Sequence, residues 1–135
     1  MQKVVLGLLA LFASLPLSAQ DAAAGRFAGT WEAKFKDKVI CTIRVKAGDP
    51  MSGETANCNI QVDGNGDLEE SEGSAAGGEA VEMIEPTVNG DSLSFSEKDG
   101  DDILKFTLKL TGDGQAELSI LNAPIAIKPI RFAKK

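Results

Sequence analysis

Three oxygen-bearing side chains in one short loop are the nearest approach of this sequence to a metal site. Asp63, Asn65 and Asp67 alternate with glycines, and oxygen ligands at alternate positions are typical of calcium loops. The glycine and the glutamate that an EF-hand carries at its sixth and twelfth positions are missing here. The loop therefore has two interpretations, a calcium site formed by these three residues or a flexible acidic turn without a metal.

The chain contains no histidine and no tyrosine. Ser–His triads, Cys–His nucleophiles and zinc or copper bound by histidine are therefore excluded. Paired carboxylates remain as a route to catalysis, but most of the acidic residues lie in glycine-rich turns, where water keeps their acidity ordinary. We therefore expect a protein that is not an enzyme, with calcium as its only candidate cofactor.

The first 19 residues have the composition of a signal peptide. Lys3 precedes a short apolar run, and the small residue Ala19 stands before the expected cleavage site. The run is shorter than the roughly 20 apolar residues that span a bilayer. The expected organisation is a signal peptide at 1–19, an N-terminal segment at 20–28 and one domain at 29–135, in a secreted or periplasmic protein whose mature chain has no membrane span.

The chain has two cysteines, Cys41 and Cys58, with 16 residues between them. An exported protein meets an oxidising compartment, in which a disulfide forms and persists. The sequence therefore predicts a bond between these two residues. In the chain-entropy model, a disulfide that closes a loop of this length adds roughly 3 kcal/mol to the free energy of unfolding.

Apolar and polar side chains alternate along most of the chain from Trp31 onward, which indicates β-strands with one buried face. This alternation predicts a second strand with Cys41 on its apolar face. A third strand, expected over residues 53–62, places Ala56 and Cys58 on the apolar face as well. Both sulfurs are thus expected on the inner side of neighbouring strands.

A long loop is expected over residues 63–78, and the strands that follow it are separated by glycine-containing hairpin turns. The last strand is expected over residues 125–132, where Pro129 indicates an edge position or a bulge. About eight strands with short connections predict an all-β fold. We expect a small antiparallel up-and-down β-barrel, because closure removes exposed edges, with a β-sandwich as the alternative.

Charge is segregated along the chain. Between Asp49 and Asp102 there are 15 acidic residues and one basic residue, whereas the segments on either side are basic. If the first and last strands are neighbours, the folded protein has a positive side and a negative side. The mature chain has 13 basic and 20 acidic residues, a balance that argues against nucleic acid as a partner.

Gly29-Thr30-Trp31 at the start of the first strand, together with Arg131 in the final strand, resembles the calycin superfamily of lipocalins and related ligand-binding barrels. In that superfamily a Gly-x-Trp at one barrel end packs beneath an arginine from the closing strand. The resemblance implies that Trp31 and Arg131 stack. A cation on an indole face is worth about 0.5 to 2 kcal/mol.

The chain is also similar in size and expected compartment to the small periplasmic barrels that inhibit secreted bacterial metalloproteases. In that family a segment before the barrel enters the protease cleft. The resemblance implies that Gln20 to Phe27 would be that segment here.

Aromatic residues on the apolar faces could line a ligand pocket or simply fill the core. The candidate ligand-binding residues are Trp31, Phe35, Phe95, Phe106 and Arg131. The sequence predicts a monomeric, exported, non-enzymatic binding module for a small apolar molecule. The alternatives are a protein-interaction barrel such as a protease inhibitor, and an envelope structural or stress protein with no ligand.

Overall fold

The computed structural model of the protein describes residues 25–69, 80–123 and 125–135. The expected signal peptide, the start of the expected N-terminal segment and much of the expected long loop lie outside these residues. In the part of the chain that the structure describes, no helix is long and apolar enough to cross a membrane.

Nine strands, each pairing antiparallel with its neighbours, form one sheet in these residues. Around the sheet the strand order is β4-β3-β2-β1-β9-β8-β7-β6-β5, so the first and last strands of the chain are neighbours. The all-β barrel expected from the alternation is confirmed. The strands are β1 Gly29–Phe35, β2 Lys38–Lys46, β3 Ser52–Ala56, β4 Val81–Glu82, β5 Ile84–Asn89, β6 Ser92–Asp99, β7 Asp102–Gly112, β8 Gln115–Ile120 and β9 Ile130–Lys134.

Tight two-residue turns join β1 to β2, β5 to β6, β6 to β7 and β7 to β8. Lys36 and Asp37, which connect β1 to β2, both have positive φ values of 51° and 66°. Two such residues in succession form the type I′ turn, whose twist matches the twist of the strands that it joins. Single glycines with positive φ lie in the turns after β5, β6 and β7, where the sequence predicted hairpins.

One strand of the barrel changes partners in its middle. β4 pairs with β3 and β5 pairs with β6, and only Met83 separates β4 from β5. The Met83 amide donates to the Gly53 carbonyl of β3 over 2.9 Å. A Cβ on Gly53 would lie 2.6 Å from Met83 Sδ and 2.7 Å from the Arg44 carbonyl oxygen, so this crossing requires a glycine. The interrupted strand closes the barrel and accounts for nine strands where about eight were expected.

Side chains fill the interior of the barrel. Buried residues come from almost every strand, and Phe95 of β6 stacks on Phe106 of β7, its direct partner in the ladder, with 5.1 Å between the ring centroids. Phe27, from the helical turn at residues 25–27, is fully buried with them. The largest fully buried side chains are Trp31, Phe27, Ile43, Leu93, Leu108, Leu118 and Ile130.

The third strand is shorter than expected and has the opposite phase. β3 ends at Ala56, and Asn57 has a positive φ of 51°, which ends the alternation. Thr55 pairs with the buried Ile43, so Thr55 faces the interior, whereas Ala56 lies on the other side of the sheet. Cys58 follows this break and is exposed. The expectation that Ala56 and Cys58 both face inward is therefore wrong.

The final strand begins later than expected. β9 runs from Ile130 to Lys134, and Pro129 lies immediately before it. This position suits proline, because a residue ahead of the ladder does not have to donate a backbone hydrogen bond.

Cys41 and Cys58 form a disulfide, as the sequence predicts. Cys41 is fully buried on β2, and its partner lies just beyond the end of the neighbouring β3. The bond therefore ties the loop after β3 back to the core. A disulfide also points to an oxidising compartment, such as the periplasm or the exterior of the cell.

Replacing both cysteines by alanine should lower the free energy of unfolding by about 3 kcal/mol, because the unfolded chain loses the constraint of a loop of this length. Urea unfolding followed by the fluorescence of the single tryptophan measures this change. Wild-type protein treated with a reductant is the control and should lose a similar amount. A loss below about 1 kcal/mol in both samples would contradict the stabilising role of the bond.

Candidate functional site

Trp31 is the central residue at one end of the barrel. Its indole is fully buried, and Nε1 donates to the Phe27 carbonyl over 2.8 Å. The Nζ of Lys134 lies 5.1 Å from the centre of the indole ring and donates to the Arg26 carbonyl over 2.8 Å. Trp31 and Lys134 are partners in the ladder between β1 and β9. One cluster thus joins the first strand, the last strand and the helical turn that precedes the barrel.

The cation on the indole is Lys134, not the Arg131 that the calycin resemblance implies. Ile130 and Phe132 are both buried, so the even-numbered residues of β9 face inward and Arg131 points outward. Lys134 has the inward phase and reaches the ring. Counting the alternation from Phe132 would have found this lysine in the sequence.

The other predicted ligand residues are divided between the core and its margin. Trp31, Phe95 and Phe106 belong to the packed core, and Phe35 is half-buried with the Nζ of Lys36 5.5 Å from its ring centre. These three belong to one core cluster, in which Phe95 stacks on Phe106. Binding of an apolar molecule among them stays a prediction.

A carboxylate that the sequence analysis missed lies in the barrel interior. Glu97 of β6 is only 6 % exposed, and its Oε1 accepts a hydrogen bond from Thr55 Oγ1 of β3 over 2.9 Å. In the described part of the chain Oε2 has no hydrogen-bond partner. Burial raises the pKa of Glu97 to about 7, although the Thr55 hydrogen bond acts in the opposite direction.

This hydrogen bond spans the place where the barrel closes. Thr55 and Glu97 belong to strands that flank the interrupted strand on either side of Met83. The alternation of β6 could have revealed Glu97, because Leu93 and Phe95 precede it on the same face. The burial of Thr55 could not have been found in this way, because the expected phase of β3 was wrong.

The predicted calcium residues form a tight turn with its own internal bonds. Asp63 Oδ1 accepts hydrogen bonds from the amides of Asn65 and Asp67, over 2.8 and 3.1 Å. Asp67 Oδ1 also forms an ion pair with Lys128 Nζ at 2.8 Å. Within the described residues no group of three or more potential metal-ligating side chains is found. Calcium binding stays a prediction, and it would require Asp67 to exchange its ammonium partner for the metal.

The strands that close the barrel separate along half of their length. β1 and β9 pair only at Trp31 with Lys134 and at Glu32 with Ala133. An additional backbone hydrogen bond runs from the Lys135 amide to the Thr30 carbonyl, over 2.8 Å. Beyond Glu32 no ladder pair joins β1 to β9 in the described residues. A cavity of about 440 Å³ occupies this side, lined by Lys34, Phe35, Gly66, Asp67, Leu68, Lys128, Pro129, Ile130 and Arg131.

A larger groove of about 820 Å³ adjoins this opening on the outer surface of β1, β9 and β8. Lys34 and Arg131 line both the groove and the opening. We call the two together the outer groove. The other residues that line the larger groove are Glu32, Thr111, Gln115, Ala116, Glu117, Phe132, Ala133, Lys134 and Lys135.

The outer groove lies among basic residues. Lys34, Arg131 and Lys135 have no carboxylate within ion-pair distance among the described residues. The neighbouring strands β2 and β7 add exposed Lys46 and Lys109. Because β1 and β9 are adjacent, the basic ends of the chain meet on one side of the barrel, while the acidic middle supplies β3 to β6 on the other. The expected division into a positive and a negative side follows from this strand order.

Comparison of the chain with protein-family models, with curated proteins and with solved structures finds no match. The fold and the site define the class of the protein as a small, nearly closed antiparallel β-barrel with one disulfide.

The raised pKa of Glu97 predicts that stability falls as the pH rises. The native state holds the proton of Glu97 more tightly than the unfolded chain does. The stability that this proton contributes is therefore complete below the ordinary pKa of 4.5 and is lost as the pH rises to about 7. A shift of this size corresponds to about 3 kcal/mol in the free energy of unfolding. Glu97→Gln should therefore be about as stable as the wild type at pH 4.5 and more stable at pH 8.

Urea unfolding of both proteins at a series of pH values measures this difference, and the exposed Glu82→Gln is the matched control. The difference between Glu97→Gln and wild type should grow between pH 4.5 and 7, whereas that for the control should stay constant. A flat difference for Glu97→Gln would mean that Glu97 has the same pKa in the native and unfolded states, which would contradict the raised pKa.

Proposed function

We propose that the protein is an exported, non-enzymatic binding barrel of calycin-like type that holds a protein partner against its outer groove. The observation that carries the proposal is the contrast between the two sides of the sheet. The inner side is filled by packed aromatic and aliphatic side chains, whereas the outer side has a groove of about 820 Å³ lined by charged residues.

The composition of the outer groove supports a protein as the partner. It combines charges of both signs with apolar and small side chains that are at least partly exposed, such as Phe35 and Ala133. Mixed lining of this kind is typical of surfaces that bind other proteins through polar contacts around a few apolar ones. A pocket for a small apolar molecule is normally concave and mostly apolar.

The expected inhibitory segment at residues 20–27 supports the proposal only in part. Phe27 is fully buried in the core, and Arg26 forms an ion pair with Asp91 at 2.9 Å. These contacts anchor the end of the segment to the barrel. Deleting residues 20–27 would remove Phe27 from the core, so its effect on binding would be mixed with a loss of stability.

Charge reversal in the outer groove is a cleaner test. Native mass spectrometry of the wild type, purified from its own source, should show a bound protein, and the double variant Lys34→Glu with Arg131→Glu should lose it. The control is Lys98→Glu with Lys105→Glu, which makes the same change in charge on exposed positions of β6 and β7 that do not line the groove. This control should keep the partner.

Two results would overturn the proposal. A retained small apolar molecule without a protein would favour binding inside the barrel. A chain that carries neither a protein nor a small molecule would favour a structural role without a ligand.

A further inference from the structure

We propose that the outer groove binds an extended, acidic polypeptide segment, whose carboxylates contact Lys34 and Arg131 and whose backbone pairs with the open edge of β1 or β9. This inference rests on the function proposed above, and it specifies the chemistry of the partner. It draws on three independent features of the groove, namely its cations, its free strand edges and the two acidic residues that interrupt its positive charge.

The cations of the groove are available to a ligand. Lys34 and Arg131 are exposed, and neither forms an ion pair with another described residue. This differs from Lys128 at the edge of the opening, whose ammonium is already held by Asp67. A carboxylate in the groove would therefore gain two cationic partners without breaking an existing ion pair. Arg131 can also bind a carboxylate with two parallel hydrogen bonds.

Lys34 and Arg131 also lie where the backbones of β1 and β9 form no ladder pair with each other. The Thr30 carbonyl accepts a bond from Lys135, so even-numbered residues of β1 direct their backbone groups toward β9. If the ladder continued beyond Glu32 and Ala133, Lys34 would pair with Arg131, but no such pair forms in the described residues. An extended peptide can use an edge of this kind by adding a strand to the sheet.

A polypeptide fits these features better than a nucleic acid does. Glu32 and Glu117 lie in the groove beside the cations, and they would repel a backbone that carries a phosphate at every unit. The chain as a whole has a formal charge of −6, which also opposes a polyanion. A peptide can place its carboxylates at the cations and neutral residues beside Glu32 and Glu117, and its amides can satisfy the strand edges.

Fluorescence anisotropy with labelled model peptides tests the proposal on the full mature chain. The probes are an alternating Glu-Val octapeptide, its Gln-Val and Lys-Val counterparts, and the Glu-Val peptide with every second amide N-methylated. The Glu-Val peptide should bind about tenfold more tightly than the Gln-Val peptide, since each of two partly exposed charge pairs contributes a few-fold. The Lys-Val peptide should bind most weakly, and N-methylation should weaken the Glu-Val peptide because it removes donors to the strand edge.

The double variant Lys34→Gln with Arg131→Gln should lose the preference for the acidic peptide. The control is Lys98→Gln on β6 with Lys105→Gln on β7, which should change the affinity by less than about twofold, because these exposed residues lie outside the groove. Thermal melting of each variant verifies that the barrel is folded, so a loss of binding can be assigned to the groove.

The outcomes separate this inference from the proposed function. Equal binding of acidic and neutral peptides would overturn the acidic preference. Binding of an eight-nucleotide single strand as tightly as the Glu-Val peptide, with no effect of N-methylation, would show a nonspecific polyanion surface. If no peptide binds but native mass spectrometry still shows a protein lost on charge reversal, this inference fails and the proposed function stands. If the protein carries a small molecule and binds no peptide, both fail.

Discussion

The pairing of the first strand with the last is the constraint on which the rest of this structure depends. In the described residues two ladder pairs join β1 to β9, so the closure needs support from side chains. Trp31 provides it, because its buried indole accepts the Lys134 ammonium on its face and donates to the Phe27 carbonyl. These contacts hold one end of the two strands together, and the other end is left apart as the opening of the outer groove.

The second closure of the barrel, opposite the first, is made in a different way. The strand that contains Met83 pairs with β3 along its first part and with β6 along its second. The hydrogen bond between Thr55 of β3 and Glu97 of β6 then connects these two strands across the barrel interior. Burying a carboxylate is unfavourable unless it is protonated or fully hydrogen-bonded, so this closure is the pH-sensitive part of the core. The Trp31 closure instead uses the Lys134 ammonium, whose partners are a ring face and a backbone carbonyl.

The fold could be predicted where the alternation of side chains is unbroken. β6 and β7 follow it closely, and the turn between them contains Gly100, as the sequence indicates. The prediction failed in β3, whose inward face is opposite to the expected one and whose alternation ends at Asn57. Asn57 adopts a left-handed conformation that is set by its surroundings, and the partner exchange at Met83 is decided by which strands lie on either side. No local pattern in a single sequence carries that information.

The candidate site was harder to predict than the fold, because it consists of what the strands leave unpaired. The sequence identified Trp31 and the basic ends of the chain, and alternation could have added Lys134 and Glu97. The outer groove itself arises from the point at which β1 and β9 stop pairing, a property of the closed barrel. The groove could therefore be recognised only after the register of the closing strands was known.

An open strand edge is also a hazard, because it can pair with the same edge of another copy. Here the edge is flanked by Lys34 on one strand and Arg131 on the other. Two copies that met edge to edge would bring these like charges together, which disfavours self-pairing. An acidic segment meets the opposite situation, because its carboxylates approach the same two cations. Lys34 and Arg131 can therefore both disfavour pairing of the edge with a second copy of the protein and select a partner of opposite charge.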